Sequence, residues 1–375
     1  MLATLIIIVL FLAYANGAND NFKGVATLYG SGTTTYRKAL TWATLTTIAG
    51  AIVAIALSSG LVASFSGRGL VTDSIASQPH FSLAVVAGAA VTVMFATLLG
   101  FPISTTHALT GGLIGAGLLA SRDGIHLSAL WTSFFMPLLI SPILAFGLAV
   151  VMCPWLIPLL SRQKLKRQSC VCITTAAQAS GLATPEGVAV AARTGTFEIV
   201  TSDAGKADCV QRFDGQVIGA EVGKTVDNLH FLSAGIVCFA RASNDAPKIA
   251  AVLLLGGGLA PGAGIGLVAI AMAIGGLLHS RRIAETMSNK VTTMNANQGL
   301  LANVITGSLV VLASKIGVPV STTHVSCGSI FGLGAASGKG HWNVIASILA
   351  AWVTTLPVAA GLAAGFYIVI SKLSA

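Results

Sequence analysis

The sequence has very little charge. Asp, Glu, Lys and Arg make up 9% of its 375 residues, whereas soluble domains carry about 25%. Hydrophobic residues make up 54%, and the mean hydropathy is +0.85. These values exclude an ordinary soluble protein and predict an all-α polytopic membrane protein, because each crossing helix needs about 20 apolar residues. The longest segments without these charges are residues 39–67, 74–121, 127–161, 249–280, 291–314, 316–338 and 340–371.

Two other signals are missing. The first apolar run, MLATLIIIVLFLA, has no basic segment before it and no A-x-A-like site after it. We therefore expect a retained first helix and not a cleaved signal peptide. The cysteines of the middle segment, Cys170, Cys172 and Cys209, do not have a standard zinc spacing, which argues against a structural zinc site.

Basic residues exceed acidic residues by 21 to 12, which gives a net charge of +9. In a membrane protein this excess marks cytoplasmic loops and does not indicate a nucleic-acid partner. With five spans in each half, Arg37–Lys38, the RQKLKR cluster at 162–167 and Arg281–Arg282 all fall inside. We expect a cell-membrane protein with both termini outside. The predicted spans are 2–20, 39–63, 82–100, 104–120 and 127–160, then 229–244, 249–278, 296–314, 318–336 and 342–370.

The middle of the chain has a different composition. Residues 161–228 hold seven of the twelve acidic residues, and alternating apolar residues at 196–202 and 207–213 predict short strands. We expect a first membrane repeat at 1–160, a small cytoplasmic insert at 161–228 and a second membrane repeat at 229–375. The sequence leaves open whether the insert is regulatory or a plain linker-like domain.

Two motifs occur twice and in the same order. GANDNFKG, which contains Asp20, resembles ASNDAPK, which contains Asp245, and GFPISTTHALTGGLIGAG (100–117) matches GVPVSTTHVSCGSIFGLG (317–334). Because five spans per half is an odd number, the second half would enter the membrane from the opposite side. The sequence thus predicts an inverted-topology repeat with broken helices, as in many transporters.

Asp20 and Asp245 are the acidic residues that lie beside apolar spans. An ionisable group at membrane depth is costly and is by default a candidate for a functional site. The alternative, that an aspartate caps a helix at the membrane interface, explains a single residue better than a symmetric pair. Together with Asn19 and Asn244, these carboxylates offer hard oxygen ligands, so we predict a cation site with sodium at Asp20 and Asp245.

Each S-T-T-H segment follows a proline by two residues, so a helix can begin there. The first turn of a helix has unpaired N–H groups and a positive dipole end, to which the hydroxyls add donors. This predicts a site for a tetrahedral oxyanion, with helix capping as the alternative. His107 and His324 would orient the turn, contact the anion or, as we favour, form hydrogen bonds in the core. The predicted phosphate-binding residues are Ser104, Thr105, Thr106, Ser321, Thr322 and Thr323.

The charge at this site predicts coupling to a cation. Two aspartates and a phosphate dianion bring about four negative charges together, and burying them uncompensated costs several kcal/mol per ion. Lys23 and Lys248 are the nearby cations, and the sequence leaves open whether they face the membrane interface. Either cations enter with the anion, or protons neutralise the carboxylates.

These motifs resemble those of the inorganic phosphate transporter (PiT) family, and the resemblance covers both predicted membrane halves. It implies a polytopic symporter that imports phosphate with Na⁺ or H⁺. The functional aspartates of the family fall here on Asp20 and Asp245, and its motif serines fall on Ser104 and Ser321.

We therefore expect a secondary active symporter, and not an enzyme, that imports inorganic phosphate with Na⁺ by alternating access. It would need no organic cofactor and no nucleic acid, and a homodimer is left open. A proton-coupled phosphate or sulfate permease is the alternative. An intramembrane hydrolase built on the two aspartates and two histidines would need a metal or a nucleophile–base pair. A channel would need rings of like residues from several subunits.

Overall fold

The computed structural model describes residues 2–57, 70–121, 125–162, 170–175, 197–202, 218–255, 261–316, 318 and 320–374. Contacts between residues divide the chain into two compact units. The first unit, Met1–Cys153 with His230–Ala375, is helical, and the second unit is Pro154–Leu229.

The first half of the helical unit begins with a long helix that ends inside the sequence motif GANDNFKG. Its elements are α1 (Leu2–Asp20), a 3₁₀ turn (Lys23–Val25), α2 (Ala26–Gly30), α3 (Tyr36–Leu57), α4 (Asp73–Ala76), α5 (Pro79–Leu99), α6 (Thr105–Ala120), α7 (Leu127–Leu130), a π-helical turn (Trp131–Phe135) and α8 (Met136–Arg162).

The second half contains the longest helix of the described chain. Its elements are α9 (Val222–Leu255), α10 (Pro261–His279), α11 (Arg281–Glu285), a π-helical turn (Thr286–Lys290), α12 (Ala296–Lys315), α13 (Thr322–Ser337) and α14 (Trp342–Ser374). Local sequence explains several of these bounds. Asn295 and Gln298 form a capping box at the start of α12, and Gly338 ends α13 with a φ of 67° that a side chain disfavours.

Among the described residues, seven helices are long and apolar enough to cross a membrane. They are Leu2–Gly30, Tyr36–Ile55, Pro79–Leu99, Met136–Leu156, Gly262–His279, Ala296–Lys315 and Trp342–Leu373. The expected class, an all-α polytopic membrane protein, is therefore confirmed for the helical unit. The sequence predicted about five spans in each half with broken helices, and the described residues include shorter helices besides these seven.

Two of the predicted spans are too short to cross the membrane alone. The helices in 104–120 and 318–336 are α6 and α13, each of 16 residues. At a rise of about 1.5 Å per residue such a helix measures roughly 24 Å, less than the hydrocarbon thickness of about 30 Å. Each begins only after its proline and serine, which shortens the apolar run seen in the sequence.

The predicted boundary between the spans 229–244 and 249–278 is also wrong. Helix α9 continues to Leu255 and passes through Pro247 without ending. The chain therefore stays helical through the sequence motif ASNDAPK, and the next described helix, α10, begins at Pro261. Asn244 and Asp245 thus lie inside a helix, whereas Asp20 lies at the end of one.

Close helix packing brings the first motif into the centre of the helical unit. Helix α1 packs against α5 and α10, and α14 packs against α5 and α6. A Cβ atom on Gly17 would lie 1.8 Å from the carbonyl oxygen of Met272 in α10, so only glycine permits this approach. Small residues at such contacts are typical of helix pairs in membranes.

The second unit contains a three-stranded sheet in the order β2–β1–β3. The strands are β1 (Cys170–Thr175), β2 (Phe197–Ser202) and β3 (Ile218–Glu221). Both pairings are antiparallel, with Cys170 opposite Ser202 in one and Glu221 in the other. The strand predicted at 196–202 is confirmed as β2, and the one predicted at 207–213 lies outside the described residues.

Candidate substrate site

The carboxylate of Asp20 lies where α1 stops. The helix gives way to a turn at Asn21, whose side chain bonds to α3, donating to Thr44 Oγ1 at 3.0 Å and accepting from Thr47 Oγ1 at 2.8 Å. A 3₁₀ turn follows and carries Lys23 back towards Asp20. Both side chains are about 2% exposed. The end of α1 therefore lies in the interior, where it holds a buried ion pair, and not at the membrane surface.

The ammonium group of Lys23 has more than one anionic or polar partner. Its Nζ atom forms an ion pair with Asp20 Oδ1 and donates to Asn19 Oδ1 at 2.7 Å. It also lies 2.8 Å from the carbonyl oxygen of Ile103 and 2.7 Å from Thr323 Oγ1. Lys23 thus joins the first motif to the residue before the α6 cap and to the first turn of α13.

The two oxygens of the Asp20 carboxylate are both engaged. Asp20 Oδ2 accepts from Asn16 Nδ2 at 2.7 Å and from Thr105 Oγ1 at 3.4 Å. Asp20 Oδ1, besides its ion pair with Lys23, lies 3.2 Å from Thr323 Oγ1. The predicted cation ligand and two of the predicted phosphate-binding threonines therefore share one hydrogen-bonded cluster.

Asn19 holds the chain that leads into α6. Its Nδ2 atom donates to Thr97 Oγ1 at 2.8 Å and to the carbonyl oxygen of Phe101 at 3.1 Å. Its Oδ1 atom accepts from the backbone N–H of Ile103 at 3.1 Å. This asparagine was predicted to bind a cation. In the structure its side-chain oxygen contacts the Lys23 ammonium and a backbone amide.

The second motif repeats the arrangement inside a continuous helix. Lys248 Nζ lies 3.6 Å from Asp245 Oδ1 and donates to the carbonyl oxygen of Val320 and to Thr106 Oγ1, each at 3.1 Å. Asn244 Nδ2 also donates to Val320, at 3.2 Å. All of these side chains are buried. Both lysines therefore lie in the interior, a point that the sequence left open.

The contacts of the two lysines are reciprocal. Each ammonium contacts the carbonyl oxygen of the residue before the motif serine in its own half, Ile103 or Val320. Each also contacts the second threonine of the S-T-T-H segment in the other half, Thr323 or Thr106. The starts of α6 and α13 therefore converge on the two Asp–Lys pairs, and each ammonium contacts a threonine hydroxyl group of the other half.

The motif serines act as helix caps. Ser104 Oγ accepts from the backbone N–H of His107 at 3.2 Å, and Ser321 Oγ accepts from that of His324 at 3.1 Å. Both serines are the N-cap residues of their helices, α6 and α13. The capping alternative thus describes the serine side chains, while the other amides of the first turns remain available to an anion.

Arg241 belongs to the same buried cluster. It is 1% exposed and lies one turn before Asp245 on α9. Its Nη2 atom donates to Thr47 Oγ1 at 2.8 Å, and its Nη1 atom lies 3.4 Å from Asn16 Oδ1. Since Asn16 also donates to Asp20, the guanidinium is connected to the first carboxylate through a single side chain.

Sequence reasoning missed three features of the cluster: Asn16, Arg241 and the burial of the two lysines. A signal for Arg241 was present, because it is a lone charge in an otherwise apolar segment, four residues before Asp245. Ionisable groups at membrane depth are functional candidates whatever their sign. The sequence-based sum of about four negative charges, from two aspartates and a phosphate dianion, did not include the buried cations that lie next to the carboxylates.

The two motif histidines and Trp352 form an aromatic cluster. The rings of His107 and His324 lie 4.4 Å apart, and that of His324 lies 3.8 Å from Trp352 of α14. They border a mainly apolar cavity of about 690 Å³. Within the described ranges, no group of three or more His, Cys, Asp or Glu side chains is arranged to hold a metal ion.

Comparison with known proteins identifies similar chains over nearly the whole length. The model of a phosphate transporter family matches residues 16–363. A Rhizobium meliloti protein described as a "Probable low-affinity inorganic phosphate transporter" is 28% identical over 383 residues, covering 98% of this chain and 96% of its own. Inorganic phosphate transporter 2-1, chloroplastic, of Arabidopsis thaliana is 26% identical, covering 97% and 71%. A solved structure, described as "The sodium-dependent phosphate transporter", shares the fold, with a TM-score of 0.75, 22% identity and 99% of each chain covered.

Proposed function

The chain belongs to the phosphate transporter family, and on that premise we propose that it is a secondary active symporter that imports inorganic phosphate by alternating access. It is a multi-pass membrane transporter and not an enzyme. The observation that carries the proposal is the convergence of the α6 and α13 starts on two buried Asp–Lys pairs. That cluster combines hydrogen-bond donors for an oxyanion with ionisable side chains that can bind a second ion or exchange a proton.

Phosphate would lie against the first turns of α6 and α13. Thr105, Thr106, Thr322 and Thr323 would donate their hydroxyl groups, and the helix-start amides would complete the oxyanion site. Ser104 and Ser321 would contribute by fixing these turns, because their side-chain oxygens cap the helices. The proposal keeps the predicted set of six residues and gives the two serines a positioning role.

Alternating access would follow from the duplicated halves. The matched positions of Ser104 and Ser321 as caps of two 16-residue helices support an inverted repeat, and discontinuous helices at the repeat interface are typical of such carriers. In this proposal both termini lie outside the cell membrane, and residues 161–228 form the cytoplasmic insert between the repeats 1–160 and 229–375. A homodimer stays a prediction, which crosslinking in native membranes would test.

Na⁺ is the first candidate for the coupling ion. The solved protein with the same fold is described as sodium-dependent. Asn19, Asp20, Asn244 and Asp245 would be the sodium ligands, as the sequence predicts. In the structure the carboxylates of Asp20 and Asp245 each face a lysine ammonium. Sodium would therefore have to displace an ammonium from each site.

The proton is the second candidate, and this occupation of the carboxylates by lysines favours it. Proton coupling requires only that Asp20, Asp245, Lys23 or Lys248 changes its protonation state during the cycle. No ammonium needs to leave its carboxylate for a metal ion to enter. Sulfate remains an alternative substrate, because the oxyanion donors of the site would also suit a tetrahedral sulfate.

Uptake of radiolabelled phosphate into proteoliposomes would test the proposal. We expect uptake above that of protein-free liposomes when an inward Na⁺ or proton gradient is applied. Dependence on one gradient would identify the coupling ion, and competition by excess unlabelled sulfate would define selectivity. The Lys339→Asn variant, changed at an exposed lysine, is the matched control. No phosphate uptake under either gradient would contradict the proposed substrate.

A further inference from the structure

We propose that Lys23 and Lys248 are the phosphate-binding cations of this site, fixed to the protein in place of co-transported metal ions. Phosphate binding would then be independent of Na⁺. The inference rests on phosphate as the substrate. It assigns a role in anion recognition to two residues for which the sequence motifs predicted none.

The buried charges of the cluster support this role. Among the described residues, the Asp, Glu, Lys and Arg side chains that are buried are Asp20, Lys23, Arg241, Asp245 and Lys248. With every group ionised, three cations and two carboxylates leave a net charge of +1 before any substrate enters. Entry of a phosphate monoanion would bring this net charge to zero, and entry of a dianion would bring it to −1, far from the four negative charges counted without the cations. The protein's own cations therefore balance a phosphate monoanion without a metal ion.

The positions of the ammonium groups also fit direct contact with an anion. Lys23 Nζ lies 2.7 Å from Thr323 Oγ1, and Lys248 Nζ lies 3.1 Å from Thr106 Oγ1. Both threonines belong to the first turns that would bind phosphate. An oxyanion held by these turns would thus lie beside both lysines, where charge-assisted hydrogen bonds are shorter and stronger than neutral ones.

One hydrogen-bond acceptor of the Lys23 ammonium can be exchanged for a phosphate oxygen. An ammonium has three protons, and Lys23 Nζ lies within hydrogen-bond distance of four acceptors: Asn19 Oδ1, Asp20 Oδ1, Ile103 O and Thr323 Oγ1. At least two of these acceptors must share a proton. A phosphate oxygen could replace Thr323 without leaving the ammonium short of partners, while the Thr323 hydroxyl keeps its own acceptor, the carbonyl oxygen of Ile103 at 3.0 Å.

The same contacts leave little room for Na⁺ at the first carboxylate. Asp20 Oδ1 faces the Lys23 ammonium, and Asp20 Oδ2 accepts from Asn16 and lies near Thr105. A sodium ion would need to remove an ammonium that already supplies the same charge. Replacing lysine with asparagine removes that charge and adds an amide oxygen, which turns the position into a candidate Na⁺ ligand.

Equilibrium binding of radiolabelled phosphate to the purified full-length protein would test the inference. Binding would be measured in NaCl and in choline chloride at equal ionic strength. We expect the Kd of the unmodified protein to agree within about twofold between the two salts. In choline, Lys23→Asn and Lys248→Asn should each weaken binding by about tenfold or more, the loss expected for a hydrogen bond to a charged group. Lys339→Asn should leave the Kd unchanged.

Restoration by sodium separates a direct role from a structural one. If the lysines replace metal ions, Na⁺ should recover binding in the asparagine variants, whereas a misfolded variant would stay inactive in both salts. Na⁺-dependent binding by the unmodified protein would overturn the inference, as would asparagine variants that bind normally in choline. Asparagine variants that keep the melting temperature of the unmodified protein but that no concentration of Na⁺ restores would also overturn it. No phosphate binding by the unmodified protein in either salt would overturn the proposed function itself.

Discussion

The two halves of the molecule hold the same Asp–Lys pair on different backbones. In the first half α1 ends at Asp20, and a turn returns Lys23 to the carboxylate. In the second half α9 continues through both Asp245 and Lys248, with Pro247 between them. The i,i+3 spacing is the same in both. One charge pair can therefore be positioned either by a helix break or by a helix turn.

Because the backbones differ, the two charge pairs also differ in ion-pair distance and in hydrogen-bond partners. Lys23 lies in direct contact with Asp20, whereas Lys248 Nζ is 3.6 Å from Asp245 Oδ1. Asn19 Oδ1 accepts from Lys23 and from a backbone amide, but Asn244 Oδ1 accepts no hydrogen bond from the described residues. The first half thus holds its charges tightly, and the second half holds them loosely. The comparison predicts that the same substitution will have a larger effect in the first half than in the second.

The largest effect is expected from removing each carboxylate charge. Asp20→Asn would leave the Lys23 ammonium buried without a counter-ion, a change that costs about 3–5 kcal/mol when a buried pair is broken. Asp245→Asn should cost less, because its pair is longer. We expect Asp20→Asn to abolish coupled phosphate uptake in proteoliposomes and to lower the melting temperature more than Asp245→Asn does. Equal shifts in melting temperature would contradict the proposed difference between the two halves. If Asp20→Asn took up phosphate as fast as the unmodified protein, the role of Asp20 in coupled uptake would be refuted.

A smaller effect should follow from Pro247→Ala. Proline has no N–H to donate to the carbonyl of residue 243, and an interior proline costs a helix about 3 kcal/mol. Alanine should stabilise α9 and make the second pair more rigid, so we expect a higher melting temperature and slower uptake. Pro357, inside α14, provides the matched control. Pro357→Ala should raise the melting temperature without slowing uptake, and a similar slowing in both variants would argue against a local role for Pro247.

The sequence predicted the residues of the site better than their environment. Repetition of N-D-x-x-K and S-T-T-H located both carboxylates and both helix starts. It did not place Lys23 and Lys248 in the interior, because a lysine at the end of an apolar run also suits the membrane interface. Tertiary contacts with Thr323 and Thr106, 300 and 142 positions away in sequence, decide the question. No local pattern reports contacts at that separation.

Two errors in the predicted fold have local causes. Hydropathy does not distinguish a full span from a half-length helix such as α6, because the residues before its serine cap are also apolar. A proline within an apolar segment usually indicates a helix boundary, yet α9 continues past Pro247. Hydrogen bonds from the buried Asn244 and Lys248 to Val320, before α13, account for that continuation better than helix propensity does.

A finer comparison concerns the contacts between each lysine and the opposite threonine. The Lys23–Thr323 distance is 2.7 Å, and the Lys248–Thr106 distance is 3.1 Å. Double-mutant cycles with Lys→Met and Thr→Val, measured by unfolding in detergent, should give a coupling of about 1.5 kcal/mol or more for the first pair and a smaller value for the second. A larger coupling for Lys248–Thr106 would reverse the assignment of the tight and loose halves.

The smallest effect should come from the serine caps, and here the halves should behave alike. Ser104 and Ser321 accept from the amides of His107 and His324 at 3.2 and 3.1 Å, in helices of equal length. Loss of an N-cap costs typically about 1 kcal/mol, so Ser104→Ala and Ser321→Ala should lower the unfolding free energy by similar amounts. Unequal losses in the alanine variants would show that the asymmetry extends from the charge pairs to the helix starts themselves.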